Sequence, residues 1–504
     1  MCMKRPENEE PQRKTMRMHD EAGTVCNTEQ HPGIDPEGPL FDAEKFHDEC
    51  GVVGLYAPGR KDIARGVYFG LHSLQHRGQE SAGIAVNMAG NIQYHKDMGL
   101  VQEVFDDEVI GRLQGDIAIG HVRYSTAGES HAANAMPLVV FYRGGAIALA
   151  HNGNLVNANI LRHRMQGNGV MFQTSIDSEV IAALIAKYVN DHTIEEAIMK
   201  TLTEIKGAYA LVITIGDKLI GVRDPNGIRP LCIGKTEDGY VLSSESCVFP
   251  LLGAELVRDV EPGEMVVVED GELKSCDCGK GKRASCAFEY VYFSRPDSRI
   301  DDIGVYTARS RCGRILAQEC PVAADMVISV PDSGTVAAIG YAEESGIPYG
   351  EGLIKNRYVG RTFIQPDQRM RELSVRLKLN VLKGNVAGKR IIMVDDSIVR
   401  GTTSGKIVKM LKDAGAREVH IRVASPPVTD PCFFGIDTPD KNKLVAAYHS
   451  IEEICEMTGA DSLGYLSVEG MLEAIGMGKD KICTACFTGD YPMELPELDM
   501  DLED

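Results

Sequence analysis

The sequence predicts a layered α+β domain followed by an α/β domain built on a parallel sheet. Three observations lead there. From Cys50 to about residue 280, strand-like apolar runs outnumber helical patterns and do not simply alternate with them. From about residue 281 the rhythm changes to strand, polar loop, helix, and then repeats. Residues 1–49 follow neither plan: they hold five Pro, twelve Asp or Glu and six Lys or Arg with little periodicity, which predicts a disordered leader.

Taken in order, Gly51–Tyr56 reads as a strand and Ile63–Gln75 as a helix. Further apolar runs lie at Gly83–Val86, Asp116–Val122 and Ala146–Ala150. Ser178–Val189 and Ile194–Ile205 have helical periodicity, and Ala208–Ile215 reads as a strand. Residues 270–285 are rich in Gly and Lys and predict a linker or loop. Beyond it, Ala324–Val330 is a strand ending in Pro331-Asp332-Ser333-Gly334, and Thr335–Glu344 is a helix. Arg390–Val394 and Ser404–Leu411 repeat that unit, and Glu418–Ala424 is the next strand. The last stretch, Glu494–Asp504, is an acidic tail expected to fray. The expected domains are therefore 1–49, 50–280, 281–490 and the tail 491–504.

Composition narrows the class. A chain of 504 residues suggests two or more domains, and 43% hydrophobic with 25% charged residues is ordinary for a globular protein. A net charge of −20 argues against general nucleic-acid binding. No window approaches the roughly 18 apolar residues of a membrane span. Fourteen Cys in a chain of this size do not read as a secreted disulfide scaffold, and no secretory apolar region precedes them. The expected compartment is a reducing cytoplasm, in which some Cys have metal or catalytic duties. No repeat of solenoid length is present.

The most informative stretch is Ile391–Thr403, with Asp395-Asp396-Ser397 and Arg400-Gly401-Thr402-Thr403 after an apolar run. A strand, a phosphate-sized loop and a helix N-terminus follow one another, and backbone N–H groups at such a terminus point at an anion. Thr402 and Thr403 add hydroxyl donors. Asp395 and Asp396 stand where a ribose diol or a Mg²⁺ ion would lie. The run resembles the signature of type I phosphoribosyltransferases, which bind phosphoribosyl pyrophosphate (PRPP). Read this way, the Asp395–Thr403 loop cradles the 5′-phosphate and Pro331–Gly334 faces pyrophosphate. Ser333, Asp395 and Asp396 then complete a Mg²⁺ shell together with substrate oxygens and water. Between the loops, residues 355–378 hold seven Lys or Arg against two acids. This segment, with Lys355, Arg357 and Arg361, is either a solvated basic face or a lid that closes over pyrophosphate.

In the first domain, Cys50 stands where the leader meets the first strand. It is either a buried strand Cys or a nucleophile. Cleavage before Cys50 would free an α-amine with a reference pKa of about 7.7–8.0, able to activate the thiol of the same residue. Arg123, in His121–Thr126, is suited to bind a carboxylate by two parallel hydrogen bonds. Asn152 and Gly153, in His151–Asn154, can form an oxyanion hole. Asp177 either holds an α-ammonium or caps a helix.

Cys50-Gly51, Gln75-His76-Arg77-Gly78-Gln79, His121–Thr126 and His151–Asn154 together resemble a class II glutamine amidotransferase domain of the N-terminal-nucleophile type. Joined to a PRPP-binding domain, the chain resembles the glutamine phosphoribosylpyrophosphate amidotransferase family over roughly residues 46–490. The resemblance implies an αββα glutaminase fold and then a type I phosphoribosyltransferase fold. It assigns Cys50 as nucleophile, Asn152 and Gly153 to the oxyanion, and Arg77, Gly78, Arg123, Gly153 and Asp177 to glutamine. It assigns PRPP to Lys355, Arg357, Arg361, Asp395, Asp396, Ser397, Arg400, Gly401, Thr402 and Thr403, and Mg²⁺ to Ser333, Asp395 and Asp396. One branch of the family carries a [4Fe–4S] cluster and a cleaved propeptide. The matching ligands here are Cys286, Cys432, Cys483 and Cys486, the last two in a C-x-x-C; four thiolates suit zinc equally on softness. Cys276 and Cys278 are potential competitors.

The implied reaction hydrolyses glutamine at Cys50 and passes ammonia to PRPP, giving 5-phosphoribosylamine, glutamate and pyrophosphate, the first step of purine synthesis. Purine nucleotide feedback inhibitors and a homotetramer are further implications of the resemblance. Two other readings compete: a glutaminase serving a sugar phosphate, against which the 394–403 run speaks, and a non-catalytic PRPP or nucleotide sensor, against which the Cys50 constellation speaks.

Overall fold

The strand Gly51–Tyr56 is buried at every position, and its alternate residues serve two different cores. Val53 and Leu55 pack with Val67 and Leu71 of the helix Ile63–Ser73, whereas Val52 and Tyr56 pack with Val212, Leu219 and Val266 of a second sheet. A strand covered on both faces has no polar side, which is why this segment reads as a continuous apolar run. The architecture described here is a computed structural model covering residues 50–124, 131–356, 379–436 and 441–495. The leader 1–49, Ser125 and Thr126, Arg357 and Arg361 with the rest of 357–378, and the tail from 496 lie outside the described residues.

The first region holds two antiparallel sheets. Seven strands run in the order Glu255–Asp259, Cys232–Lys235, Tyr240–Ser243, Gly51–Tyr56, Ile117–Arg123, Ser81–Met88, Asn91–Met98. Six run in the order Glu272–Asp277, Glu264–Glu269, Lys218–Arg223, Gly207–Ile215, Gly145–Leu155, Leu138–Tyr142. The helix Ile63–Ser73 covers the first sheet, and Ser178–Tyr188 with Ile194–Glu204 covers the second, giving four layers, αββα. The sheets approach closely at Gly54, where a Cβ would lie 2.7 Å from Val212 Cγ1 and 2.8 Å from Leu219 Cδ1.

The stretch 270–285 departs from the expected linker. Asp270 and Gly271 have φ of 52° and 76° and form a tight turn, after which Glu272–Asp277 pairs with Glu264–Glu269 as an edge strand. The strand reads as polar because an edge is exposed; the Asp-Gly pair is the hairpin signal.

In the second region four parallel strands lie in the order Met326–Ser329, Arg390–Asp395, Glu418–Val423, Ser462–Tyr465. Ile392 and Val394 face one core with the helices Val305–Glu319 and Thr335–Ser345; Ile391 and Met393 face the other with Thr402–Asp413. The two regions share a core: Ala208 and Ile228 of the first cluster with Phe288 and Tyr341 of the second. Buried ion pairs cross the same junction, Arg223–Asp301 at 2.9 Å and Arg77–Glu289.

Candidate active sites

Pairing places the first site. Gly51 is opposite Val122, so Cys50 sits beside the end of the strand that carries Arg123. The strand Gly145–Leu155 brings Asn152 and Gly153 to the same edge, and Asp177 stands at the start of the helix Ser178–Tyr188. Cys50, Arg123, Tyr124, His151, Gly153 and Asp177 line one small cavity. The Cys50 thiol is buried and donates to Tyr124 O at 3.6 Å; burial pushes it up to about 11. A thiol so hard to ionise needs a base at close range. Among the buried polar atoms without a hydrogen-bond partner are the amide nitrogen of Asn152 and Nε2 of His151. Buried donors rarely go unused, so the Asn152 amide is available for an oxyanion.

Asp177 makes no capping bond to its helix. Its carboxylate accepts from Leu155 N–H at 2.9 Å and from the Ser178 hydroxyl at 3.3 Å, and lies 3.6 Å from His151 Nδ1. Burial would raise its pKa, but the His151 ring and these hydrogen bonds hold it below the usual carboxylate value. An ionised, buried carboxylate at the cavity wall suits an ammonium group. His121 cannot serve as the general base: burial drives its pKa to about 3, and its Nε2 faces His151 O at 3.0 Å.

The Arg77 side chain, expected at glutamine, is engaged in a buried network of carboxylates. Its guanidinium is fully buried and donates to Glu245, to both carboxylate oxygens of Glu289 and to Ser294 Oγ. Burial alone would raise Glu245, but Arg77 and His76 hold it well below the usual carboxylate range. Gly78 supports the site through its backbone: a Cβ there would lie 2.6 Å from Arg123 N, so the chain passes directly beneath Arg123. No partner for Arg77 is readable from spacing, because Glu245 and Glu289 lie far away along the chain. The one available signal was Glu289 itself, a lone acid in the aromatic run Phe288–Phe293, which forms a single π-helical turn from Glu289.

The second site forms at neighbouring strand ends. Ser329 is opposite Val394, so the loops Pro331–Gly334 and Asp395–Gly401 emerge side by side. A Cβ on Gly334 would lie 2.5 Å from Val394 O, fixing how tightly the loops pack. Asp395 and Asp396 are both buried, and Ser397 Oγ donates to Asp396 Oδ2 at 2.7 Å. Gly401, with φ of 81°, turns the chain into the helix Thr402–Asp413. Thr403 Oγ1 and Arg400 Nε are buried with no hydrogen-bond partner among the described residues. Lys355 reaches the same loops, 3.3 Å from Asp332 Oδ2. Ser333 lies in the Pro331–Gly334 loop, and the expected lid residues Arg357 and Arg361 lie outside the described residues.

The four expected cluster cysteines gather in the second region. Cys286 pairs in register with Cys483 across a two-residue parallel bridge. Cys432 Sγ accepts from Phe434 N–H at 3.3 Å, and the rings of Phe433 and Phe434 that follow it pack on Tyr491, a few residues beyond Cys486. Burial pushes Cys286 and Cys483 up to about 12. Among the described residues no group of three or more His, Cys, Asp or Glu is spaced to hold a single metal ion. Cys276 and Cys278 pack instead against the helix-covered core of the first region. No helix among the described residues is long and apolar enough to cross a membrane.

The chain is similar over most of its length to known proteins. A family model described as a glutamine amidotransferase domain matches residues 121–250. An amidophosphoribosyltransferase from Archaeoglobus fulgidus is 54% identical over 451 residues, covering 89% of this chain and 98% of the relative. One from Synechococcus elongatus is 53% identical over 92% of this chain and 95% of its own length. Among solved structures, glutamine PRPP amidotransferase from B. subtilis, complexed with ADP and GMP, superposes with a TM-score of 0.84 at 50% identity, covering 89% of this chain and 98% of that one. A structure described as the allosteric regulatory enzyme of purine biosynthesis gives 0.85 at 51% identity, covering 89% and 97%.

Proposed function

The chain belongs to the amidophosphoribosyltransferase family, and from that membership we propose how its own residues divide the work. The protein catalyses the first step of purine biosynthesis, transferring the amide nitrogen of glutamine to PRPP to give 5-phosphoribosylamine, glutamate and pyrophosphate. The observation that carries the assignment of roles is the small cavity in which Cys50, Arg123, Gly153 and Asp177 meet, with Asn152 next to Gly153 in the chain.

Arg123 binds the glutamine α-carboxylate and Asp177 its α-ammonium. Removal of residues 1–49 frees the α-amine of Cys50, which takes the thiol proton. The sulfur attacks the side-chain amide carbon, and the Asn152 amide and Gly153 N–H receive the negative charge on oxygen. Collapse expels ammonia and leaves a thioester, which water hydrolyses to glutamate. Ammonia then passes through the shared interior of the two regions. Its lone pair forms the new bond to C1 of PRPP as the bond to pyrophosphate breaks, and one proton leaves the nitrogen.

At the second site the N-terminus of Thr402–Asp413, with Thr402, Thr403 and Arg400, holds the 5′-phosphate. Asp395, Asp396 and Ser333 fit Mg²⁺: two buried carboxylates and a hydroxyl leave positions for water and pyrophosphate oxygens, as that ion prefers. The ion supplies charge neutralisation for the departing pyrophosphate. Lys355, with Arg357 and Arg361, covers the leaving group. Cys286, Cys432, Cys483 and Cys486 suit a [4Fe–4S] cluster with a structural role. Cys286 and Cys483 are brought into register across the parallel bridge, and four thiolates meet the ligand demand of such a cluster. A reducing cytoplasm, purine nucleotide feedback of the kind suggested by the ADP and GMP complex, and a homotetramer complete the proposal.

Cys50→Ser tests it: glutamine-dependent synthesis is abolished and ammonia-dependent synthesis persists. Loss of both in a folded variant contradicts the division of labour.

A further inference from the structure

We propose that Phe433–Gly435, a segment of the second region, is a positioning element of the glutamine site and forms the back of its oxyanion hole. The inference rests on the roles given above to Asn152 and Gly153.

Gly153 is enclosed on two sides. It has φ of 140°, and a Cβ on it would lie 2.0 Å from Ala208 O on the neighbouring strand. From the other side comes Gly435, with φ of 111°; a Cβ there would lie 2.9 Å from Gly153 Cα and 3.0 Å from Gly153 C. Two glycine backbones from opposite regions therefore touch with no side chain between them. Beside this contact, the Asn154 side-chain amide donates to Phe433 O at 2.9 Å.

The segment is itself held firmly. Phe434 is buried, and its carbonyl accepts from Arg229 Nε at 2.8 Å. The rings of Phe433 and Phe434 pack on Tyr491, whose hydroxyl donates to Pro431 O at 2.8 Å. Strand pairing fixes one edge of the Asn152–Asn154 backbone, through Tyr209 opposite Gly153. Phe433–Gly435 fixes its face. Stabilisation of an oxyanion depends on donor placement to a fraction of an ångström. The second region thus sets the aim of the donors while contributing no group to the chemistry.

The test uses Gly435→Ala and Asn154→Ala in the full-length enzyme after its normal maturation, with glutamine-dependent and ammonia-dependent synthesis measured side by side. Both variants should lose roughly tenfold or more in kcat with glutamine, since small misplacements at a reacting centre are costly. The KM for glutamine should stay within about twofold, because Arg123 and Asp177 are untouched, and the ammonia-dependent rate should likewise hold within about twofold. If Gly435→Ala does not fold, Asn154→Ala, which removes one hydrogen bond, decides alone. Unchanged kcat in Asn154→Ala, or an equal fall in both activities, overturns the inference. A wild-type enzyme with no glutamine-dependent activity would instead refute the parent reading.

Discussion

Asp395 and Asp396 are neighbouring buried carboxylates at the end of one strand, where the proposed Mg²⁺ ion would be held. Asp395→Asn or Asp396→Asn should therefore lower glutamine- and ammonia-dependent synthesis alike, by roughly 10²-fold, as losses at metal-supporting residues do. Unchanged ammonia-dependent kinetics in both variants would contradict the assignment. A second carboxylate serves structure. Asp301 receives Arg223 through two hydrogen bonds, at 2.9 Å and 3.2 Å, and Ser285 Oγ at 2.6 Å. Burial opposes its ionisation, but Arg223 wins and holds it at about 2. A carboxyl lowered from the unfolded value of about 3.9 adds stability that is fully present above pH 4 and is lost as pH falls toward 2. Asp301 has φ of 49°, which Asn tolerates, so Asp301→Asn removes the charge without straining the backbone. It should cost about 3 kcal/mol at pH 7, measured by denaturant unfolding, and the gap from wild type should narrow below pH 4. At this scale Cys50, Arg123, Asn152, Asp395 and Asp396 drew notice because reactive residue types stand at the ends of apolar runs, whereas Asp177 read equally as a helix cap and only the family resemblance put it at glutamine. Arg77 was not, since its carboxylate partners come from Glu245 and Glu289, and sequence spacing does not reveal a pair made by tertiary packing.

Elements were easiest to read where one pattern met one environment. The helices Ser178–Tyr188 and Ile194–Glu204 and the first three strands of the parallel sheet fall within a few residues of their expected limits, because each presents a single apolar stripe or a fully buried run, whereas the fourth strand, Ser462–Tyr465, was not expected. The edge strand Glu272–Asp277 was hidden by its exposed, Lys-containing sequence, although the Asp270-Gly271 turn announces it. The four-layer stacking was invisible to periodicity, because strands buried on both faces carry no alternation to show which layer they meet. Gly54 reveals that stacking directly. Gly54→Ala should press its methyl into Val212 and Leu219 and destabilise by about 1–3 kcal/mol, as overpacking does. Adding Val212→Ala should recover part of that loss, giving a favourable coupling in a double-mutant cycle. Strict additivity in thermal or denaturant unfolding would show that the two sheets do not meet there.

On the scale of the whole molecule, two chemistries share one interior, and the proposed cluster ligands span the second region. Cys286 opens that region beside the junction and is bridged in register to Cys483, close to the end of the described chain. Closing so long a loop restricts the unfolded chain more than a short one does, though the gain grows only slowly with length. A cluster bound here therefore holds together the start and finish of the region, and Cys432 connects it to the segment behind Gly153. The Cys286 and Cys483 thiols resist ionisation in their buried setting, so the positive charge of iron, were it bound, would be what makes thiolates favourable there. Anaerobically purified enzyme should be brown and hold about four iron atoms per chain. Its N-terminal residue should be Cys50, because the α-amine base exists only after cleavage there. Air should bleach the visible absorption and lower the melting temperature, and Cys432→Ser should do so without oxygen. Glutamine-dependent synthesis should fail before ammonia-dependent synthesis as the cluster is lost, since the segment after Cys432 supports Gly153 and not the PRPP loops. A colourless, fully active, air-stable enzyme would overturn the cluster assignment, whereas a brown enzyme with equal loss of both activities would separate the cluster from the oxyanion hole.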